Sequence, residues 1–68
     1  MSPDMKKLGR RIQGFREARG LSQETLATKA GLSRGYLARV ETGRNEPSLS
    51  MLEKLAKALR VKVAKLLE

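Results

Sequence analysis

The segment from Gln23 to Val40, QETLATKAGLSRGYLARV, decides the fold of this chain. On both sides of Gly31 its apolar residues recur every three or four positions, which is the spacing of one helix face. Glycine readily adopts the left-handed conformation in which many helices end, so Gly31 predicts the end of a first helix. Ser33 is placed to cap a second helix by accepting a hydrogen bond from a free backbone N–H. The segment therefore predicts two short helices joined by a tight turn.

The same segment divides each helix into an inward and an outward side. Ala27 provides the small side chain that lets two crossing helices approach each other. The inward residues are expected to be Leu26, Ala30, Leu32, Leu37 and Val40. On a helical wheel, this leaves Arg34 and Arg39 of the second helix pointing outward. Such an arrangement is a helix-turn-helix, whose second helix usually enters the major groove of DNA.

The flanking sequence predicts further helices on the N-terminal side. A first helix is expected from about Pro3 to Arg19, capped by Ser2 and ended by Gly20. Its apolar stripe consists of Met5, Leu8, Ile12 and Phe15. The central helices are then expected at Gln23–Ala30, capped by Ser22, and from Arg34 to about Thr42, capped by Ser33 and ended by Gly43.

Two more helices are expected towards the C-terminus. Ser48 would cap a fourth helix after a polar loop that ends at Pro47. Its inward stripe is predicted to be Leu49, Leu52, Leu55, Ala56 and Leu59, and a short fifth helix would present Val63, Leu66 and Leu67. No strand-like alternation occurs. We therefore predict an all-α fold, a compact five-helix bundle that forms a single domain over residues 1–68.

The composition lacks the side chains that most catalytic and metal-binding sites use. A chain of 68 residues can bury only one small core. It has no cysteine and no histidine, so thiolate and imidazole groups are missing as metal ligands, nucleophiles and general bases. The seven carboxylates are scattered without the spacing of a metal site or an acid–base pair. We therefore expect no enzyme activity, no catalytic residues, no metal and no cofactor.

The charge favours a polyanionic partner. The net charge is +8, and residues 1–45 hold ten basic residues against four acidic ones. The alternative is a solvated surface charge without a partner. The sequence contains no apolar run of signal-peptide or membrane-spanning length, so we expect a cytoplasmic protein without a membrane partner. No domain for a small-molecule ligand is evident.

The chain resembles the Cro/repressor-type (XRE-like) helix-turn-helix family, and within it small phage repressors and restriction-modification controller proteins. The matching residues are Leu8-Gly9-x-x-Ile12, Gly20-Leu21-Ser22-Gln23-Glu24-x-Leu26-Ala27, Gly31-Leu32-Ser33, Tyr36-Leu37, Val40-Glu41-x-Gly43 and Pro47-Ser48-Leu49-x-x-Leu52. The resemblance implies a lambda-repressor-like DNA-binding domain in which helices 2 and 3 form the helix-turn-helix.

Three residues depart from the family pattern. Many relatives have glutamate where this chain has Thr25, so the capping box of helix 2 is expected to be weaker. Relatives often have glycine at the position of Arg60 and serine or threonine at that of Lys62. Arg60 must therefore either adopt a left-handed conformation or avoid it, and the boundary between helices 4 and 5 stays open.

The resemblance and the helical wheel together indicate the DNA-contacting residues. The candidates for base contacts are Arg34, Gly35, Tyr36, Ala38 and Arg39. Arginine can donate two hydrogen bonds to guanine, which discriminates by about 1–3 kcal/mol. Gly35 either lets the backbone approach a base or is simply tolerated, and Tyr36 either contacts DNA or packs with its hydroxyl exposed. The candidates for phosphate contacts are Ser22, Gln23, Ser33, Arg44 and Asn45, with Gln23 also expected to brace Arg34.

Two further expectations concern structure rather than readout. The resemblance implies a partly buried ion pair between Arg16 and Glu41, which would orient the recognition helix. An apolar surface near the C-terminus is expected to form a homodimer interface; it consists of Val61, Val63, Leu66 and Leu67. The alternative is that these side chains only close the core against Leu8 and Leu59.

These features together predict a sequence-specific DNA-binding transcriptional regulator, bound as a homodimer to a palindromic operator. The alternative is an antitoxin-type or bridging protein-interaction module in which DNA binding is secondary. Antitoxins of this family usually carry an additional segment for the toxin. Because the sequence ends at Glu68, we favour the regulator.

Overall fold

The computed structural model describes residues 4–68 and folds them into five helices without a strand in that range. The helices are α1 (Met5–Ala18), α2 (Gln23–Ala30), α3 (Arg34–Glu41), α4 (Leu49–Leu59) and α5 (Val63–Leu67). The predicted all-α, five-helix architecture is therefore confirmed. Ser2 and Pro3, the predicted start of the first helix, lie outside the described residues. Within the described range, no helix has both the length and the apolar character needed to cross a membrane.

Side chains cap the N-termini of the first four helices. The carboxylate of Asp4 accepts hydrogen bonds from the backbone N–H groups of Lys6 (2.9 Å) and Lys7 (3.3 Å), so Asp4 caps α1, which begins at Met5. The hydroxyls of Ser22, Ser33 and Ser48 cap α2, α3 and α4 as predicted. Each of these caps satisfies a backbone donor that the helix itself leaves free.

Between α4 and α5 lies the one residue other than glycine in residues 4–68 whose backbone is strained. Arg60 adopts a left-handed conformation, with φ 60° and ψ 41°. For a residue with a Cβ atom, this conformation costs about 1–2 kcal/mol. Lys62 then precedes α5 without a capping bond from its side chain. The left-handed conformation of Arg60 therefore costs the folded state free energy that a glycine at this position would not cost.

A side chain of α1 holds α5 in position. The Arg11 guanidinium donates a hydrogen bond from Nη2 to the carbonyl oxygen of Lys65 at 2.7 Å and lies 3.5 Å from Glu68 Oε1. The last carbonyls of a helix lack partners within that helix, so a cation there is favourable. The fifth helix thus depends on the first for its C-terminal hydrogen bond.

All five helices contribute to one core. Its buried apolar residues are Leu8, Ile12, Leu26, Ala27, Ala30, Leu37, Val40, Leu52, Leu55, Ala56, Leu59 and Leu66. Leu49, which was predicted to face inward, is 66% exposed. It is the first residue of α4, and at that end of the helix the core does not cover it. Leu32 is half-buried and packs against the core.

The predicted dimer surface divides into residues of different exposure. Leu66 is fully buried in the core of the single chain, so its side chain is unavailable to a second copy. That part of the prediction was wrong, because the short last helix hides Leu66 completely. Val61 and Val63 are half-buried and pack against the core, whereas Leu67 is 49% exposed.

The close approach of α1 and α3 depends on Gly9. A Cβ atom on Gly9 would lie 2.6 Å from the carbonyl oxygen of Val40 and would also collide with the carbonyl of Glu41. These are backbone atoms at the end of α3, so they cannot move aside as a flexible side chain would. Gly14, five residues later on α1, has no atom of a neighbouring element within 4 Å of the position that a Cβ would occupy.

We therefore expect opposite effects from the same substitution at two positions of α1. Gly9→Ala should destabilise the fold by about 1–3 kcal/mol or more, because it forces α3 away from α1. Gly14→Ala should stabilise it by about 0.5–1 kcal/mol, because alanine favours a helix interior. Chemical denaturation followed by circular dichroism measures both. Equal effects at the two positions would contradict the close approach at Gly9.

Candidate nucleic-acid interface

The third helix presents one polar side to solvent. Its eight residues form just over two turns, about 12 Å long. Leu37 and Val40 are buried, which fixes the rotation of the helix about its axis. The exposed side contains Arg34, Gly35 and Arg39, with Tyr36 and Ala38 half-buried beside it. All five predicted base-contact residues therefore belong to one helix, and both arginines lie at the surface.

Gly35 and Arg39 form a local pair on this exposed side. A Cβ atom on Gly35 would lie 3.5 Å from Nη1 of Arg39, an ordinary contact distance. The Arg39 guanidinium thus lies close to the backbone of the first turn of α3, next to a position without a side chain. This leaves a flat region on which both the backbone and a guanidinium are accessible. Tyr36 packs partly against the core, so its ring also has a structural role.

A polar cavity of about 520 Å³ lies between the N-terminal ends of α2 and α3. It is lined by Arg16, Ser22, Gln23, Glu24, Thr25 and Arg34. The free N–H groups of α2 and the Arg34 guanidinium favour an anion here, and the Glu24 carboxylate opposes it. Two predicted phosphate contacts, Ser22 and Gln23, and one predicted base contact, Arg34, are brought together by this cavity.

Arg16 and Glu41 form a buried, two-pronged ion pair behind the exposed side of α3. Arg16 Nε donates to Glu41 Oε2 at 2.8 Å, and Arg16 Nη2 donates to Glu41 Oε1 at 3.1 Å. The side chains are 11% and 2% exposed, respectively. The hydrogen bond to Glu41 raises the pKa of Arg16 against the opposing effect of burial. The remaining nitrogen, Nη1, donates to the carbonyl of Leu21 at 2.9 Å.

Gln23 joins this ion pair, which sequence reasoning missed. Its Nε2 donates to Glu41 Oε1 at 2.9 Å, so the amide is oriented by Glu41. The amide acts as the donor in this bond, so the carbonyl oxygen of Gln23 is still available to a guanidinium, and the expected brace from Gln23 to Arg34 stays a prediction. The amide of Gln23 still lines the polar cavity. No sequence signal predicts this contact, since the two residues lie on different helices.

Ser22 and Ser33, two other predicted phosphate contacts, differ in whether the hydroxyl proton is free to bind a phosphate. Ser22 Oγ accepts from the N–H of Thr25 at 3.0 Å and donates to Thr25 Oγ1 at 2.9 Å, so its proton is engaged. Ser33 Oγ accepts from the N–H of Tyr36 at 3.1 Å, which leaves its hydroxyl proton for another acceptor. The second bond of a capping box would run from the backbone N–H of Ser22, whereas Thr25 Oγ1 accepts from the Ser22 hydroxyl, so this pair does not complete a capping box.

The loop after α3 folds back onto the end of that helix. The backbone N–H groups of Arg44 and Asn45 both donate to the carbonyl oxygen of Arg39, at 2.8 and 3.3 Å. Thr42 Oγ1 also donates to the carbonyl of Ala38 at 3.0 Å, a contact that was not predicted from the sequence. As a result, the exposed Arg44 and the half-buried Asn45 are held next to α3.

Comparison with known proteins identifies the family. The chain belongs to the helix-turn-helix family HTH_3, whose family model matches residues 12–66. It is 51% identical over 57 residues to the immunity repressor protein of Bacillus phage phi105, a match that covers 84% of this chain and 40% of the repressor. It also matches the regulator SinR of Bacillus subtilis, at 39% identity over 90% of this chain and 56% of SinR. The chain thus spans about half the length of these two relatives.

Solved structures agree with this assignment. The restriction-modification controller protein C.AhdI from Aeromonas hydrophila has a TM-score of 0.91 and 46% identity, covering 93% of this chain and 96% of that one. A structure of SinR, described as the master regulator for biofilm formation in complex with DNA, has a TM-score of 0.86 and 39% identity. That match covers 90% of this chain and 98% of the SinR chain. The family resemblance seen in the sequence is therefore confirmed.

Removing one partner of the buried ion pair should destabilise the fold strongly. Glu41→Ala leaves the Arg16 guanidinium buried without its counter-charge, and we expect a loss of about 3–5 kcal/mol. The matched control is Glu53→Ala on α4, where an exposed glutamate is replaced and the change should stay within about 0.5 kcal/mol. Thermal and urea unfolding measure both. If Glu41→Ala melts like the control, the pair does not stabilise the protein.

Proposed function

We propose that this chain is a sequence-specific DNA-binding transcriptional regulator that inserts α3 into the major groove, bound as a homodimer to a palindromic operator. One observation carries the proposal: Arg34 and Arg39 are exposed on a helix whose opposite side is fixed by the buried Glu41. The structure of SinR in complex with DNA, a relative with the same fold, supports DNA as the ligand.

In this proposal the exposed side of α3 reads bases. Arg34 and Arg39 donate paired hydrogen bonds to guanine, and each good pair is worth about 1–3 kcal/mol of discrimination. Gly35 lets the backbone approach a base edge, since it adds no side chain between the two arginines. Tyr36 and Ala38 offer apolar contacts to a thymine methyl group at the border of this side.

The N-terminal ends of α2 and α3 and the loop after α3 hold the DNA backbone. Gln23 and Ser33 lie at the N-termini of α2 and α3, where free N–H groups attract phosphate. Arg44 and Asn45 extend this grip on the other side of α3. Ser22 contributes mainly through its backbone N–H, because its hydroxyl proton is bonded to Thr25. Contacts of this kind fix the register of the protein and give salt-dependent affinity.

The number of recognition helices supports binding as two copies. The described residues contain one candidate recognition helix, α3. An operator with two half-sites about 34–36 Å apart therefore needs two copies. We place the contact between copies at the C-terminal end, where Val61, Val63 and Leu67 remain partly or largely exposed.

Selecting bound sequences from random duplex DNA tests the proposed readout. Arg39→Ala should lose the preference at one symmetric pair of positions, corresponding to about 1–3 kcal/mol on the preferred site. The control Arg44→Ala should weaken binding to all sequences alike and lower the salt slope by about 1, as expected for a lost phosphate contact. The affinities are measured by fluorescence anisotropy at several salt concentrations.

Two outcomes would contradict this assignment. A uniform loss with Arg39→Ala, matching that of Arg44→Ala, would move Arg39 to the phosphate contacts. The absence of any preferred sequence for the wild type would overturn sequence-specific regulation and favour a protein-interaction module.

The dimer interface can be tested with the two large apolar side chains that are most exposed. Leu67→Glu should weaken self-association roughly tenfold or more, because it puts a charge into an apolar contact. Leu49→Glu is the matched control, since Leu49 is even more exposed but lies at the end of α4 that is remote from α5. Analytical ultracentrifugation with and without the selected DNA measures both. A wild type that stays monomeric under both conditions would overturn the dimer.

A further inference from the structure

A second cationic surface lies between α2 and α4. It is an open trough of about 580 Å³, whose rim carries Lys29, Lys54, Lys57 and Arg60 over a floor that includes Ala30 and Ala58. A neighbouring hollow of about 230 Å³ shares Lys29 and Arg60 and adds Arg19. We call these two hollows together the α2–α4 trough. It brings five basic side chains, from α2, α4 and the ends of α1 and α4, to one side of the molecule.

The charges of the trough are not compensated within the described chain. None of the ion pairs in residues 4–68 involves any of the five basic side chains, and no carboxylate lines either hollow. Lys54 and Lys57 lie three residues apart on α4, and Arg60 follows three residues later as its C-cap, so like charges are neighbours. Neighbouring like charges repel each other. An anionic partner would turn this repulsion into attraction.

Arg60 adds an independent indication. It is the one residue other than glycine with a positive φ in residues 4–68, and its side chain belongs to both hollows. A glycine there would remove the strain without a loss of packing, because Arg60 is exposed. Strained positions of this kind are concentrated where the side chain is needed for function.

The trough is separate from the candidate DNA interface. Helix α2 packs against both α3 and α4, so its two sides belong to different surfaces. The cavity next to Arg34 uses the N-terminal end of α2, whereas the trough uses its C-terminal end around Lys29. The two sets of lining residues do not overlap.

We propose that the α2–α4 trough docks an acidic, amphipathic segment of a partner protein. Carboxylates of the segment would pair with the lysines and arginines of the rim, and its apolar side chains would cover the half-buried Ala58 and Leu21. A DNA backbone would bring no apolar group for that floor. A small ligand would be left largely exposed, since most of the lining residues lie at the surface, whereas small-molecule sites usually enclose their ligand.

The test uses a labelled peptide of about twelve residues, made of glutamate and leucine in an amphipathic helical pattern, with glutamine in place of glutamate as its control. Nitrogen-15 NMR spectra should show shifts at Gly31, Ala58 and Arg60 on adding the peptide, with α3 unchanged. The glutamine peptide should cause no comparable shifts. Shifts concentrated on α1 or α3 would overturn the proposal, as would stronger shifts at the trough with a short DNA duplex.

Charge reversal in the trough provides the second readout. Lys54→Glu combined with Lys57→Glu should weaken peptide binding roughly tenfold or more. Lys7→Glu combined with Lys62→Glu changes the net charge equally, outside the trough, and should change binding less than about threefold. Equal losses in the two variants would mean that only net charge matters and would overturn the proposal.

The Arg60→Gly variant tests the role of Arg60 in peptide binding separately from its effect on stability. It should raise the melting temperature by roughly 4–8 °C, because glycine relieves the strain of the left-handed conformation. The same variant should weaken peptide binding about two- to fivefold, because one rim charge is lost. A more stable variant with undiminished binding would contradict a docking role for Arg60.

Discussion

The buried pair of Arg16 and Glu41 is the interaction on which the rest of the structure depends. It joins the end of α1 to the end of α3, and the Gln23 amide and the Leu21 carbonyl connect it to the start of α2. Removing two charges from water is costly, and the cost is offset only when geometry and additional hydrogen bonds are good. Here both carboxylate oxygens and all three guanidinium nitrogens are bonded within the protein. Because these bonds fix α3 through its buried side, the exposed side of α3 needs no contacts within the protein to keep the helix in place.

Local chemistry allowed much of the fold to be predicted. Ser22, Ser33 and Ser48 cap helices through contacts within three residues, so the sequence alone contains the necessary information. The left-handed Gly31 is equally local. Leu49 was misplaced because periodicity indicates which side of a helix is apolar, but not how far the neighbouring helices extend along it.

The candidate site was predicted less completely, because its contacts join distant parts of the chain. Arg34 and Arg39 were correctly expected at the surface, since the wheel of a single helix determines that. The bond from Gln23 to Glu41 spans 18 residues and depends on how three helices meet. Gly9 stood in the sequence motif, but its necessity follows only from the carbonyl groups of α3 that approach it. The α2–α4 trough likewise needs the packing of helices whose basic residues are far apart in sequence.

The bond from Arg11 to Lys65 has a consequence for the way the chain opens. Helix α5 has five residues, lacks a side-chain cap and contributes only Leu66 to the fully buried core. A segment with so few internal contacts belongs to the least protected part of a protein, where amide hydrogens exchange with solvent through local fluctuations. The guanidinium of Arg11 provides the side-chain hydrogen bond that ties α5 to α1. When that bond opens, α5 is expected to loosen alone, because α1 stays joined to α3 by the buried pair of Arg16 and Glu41.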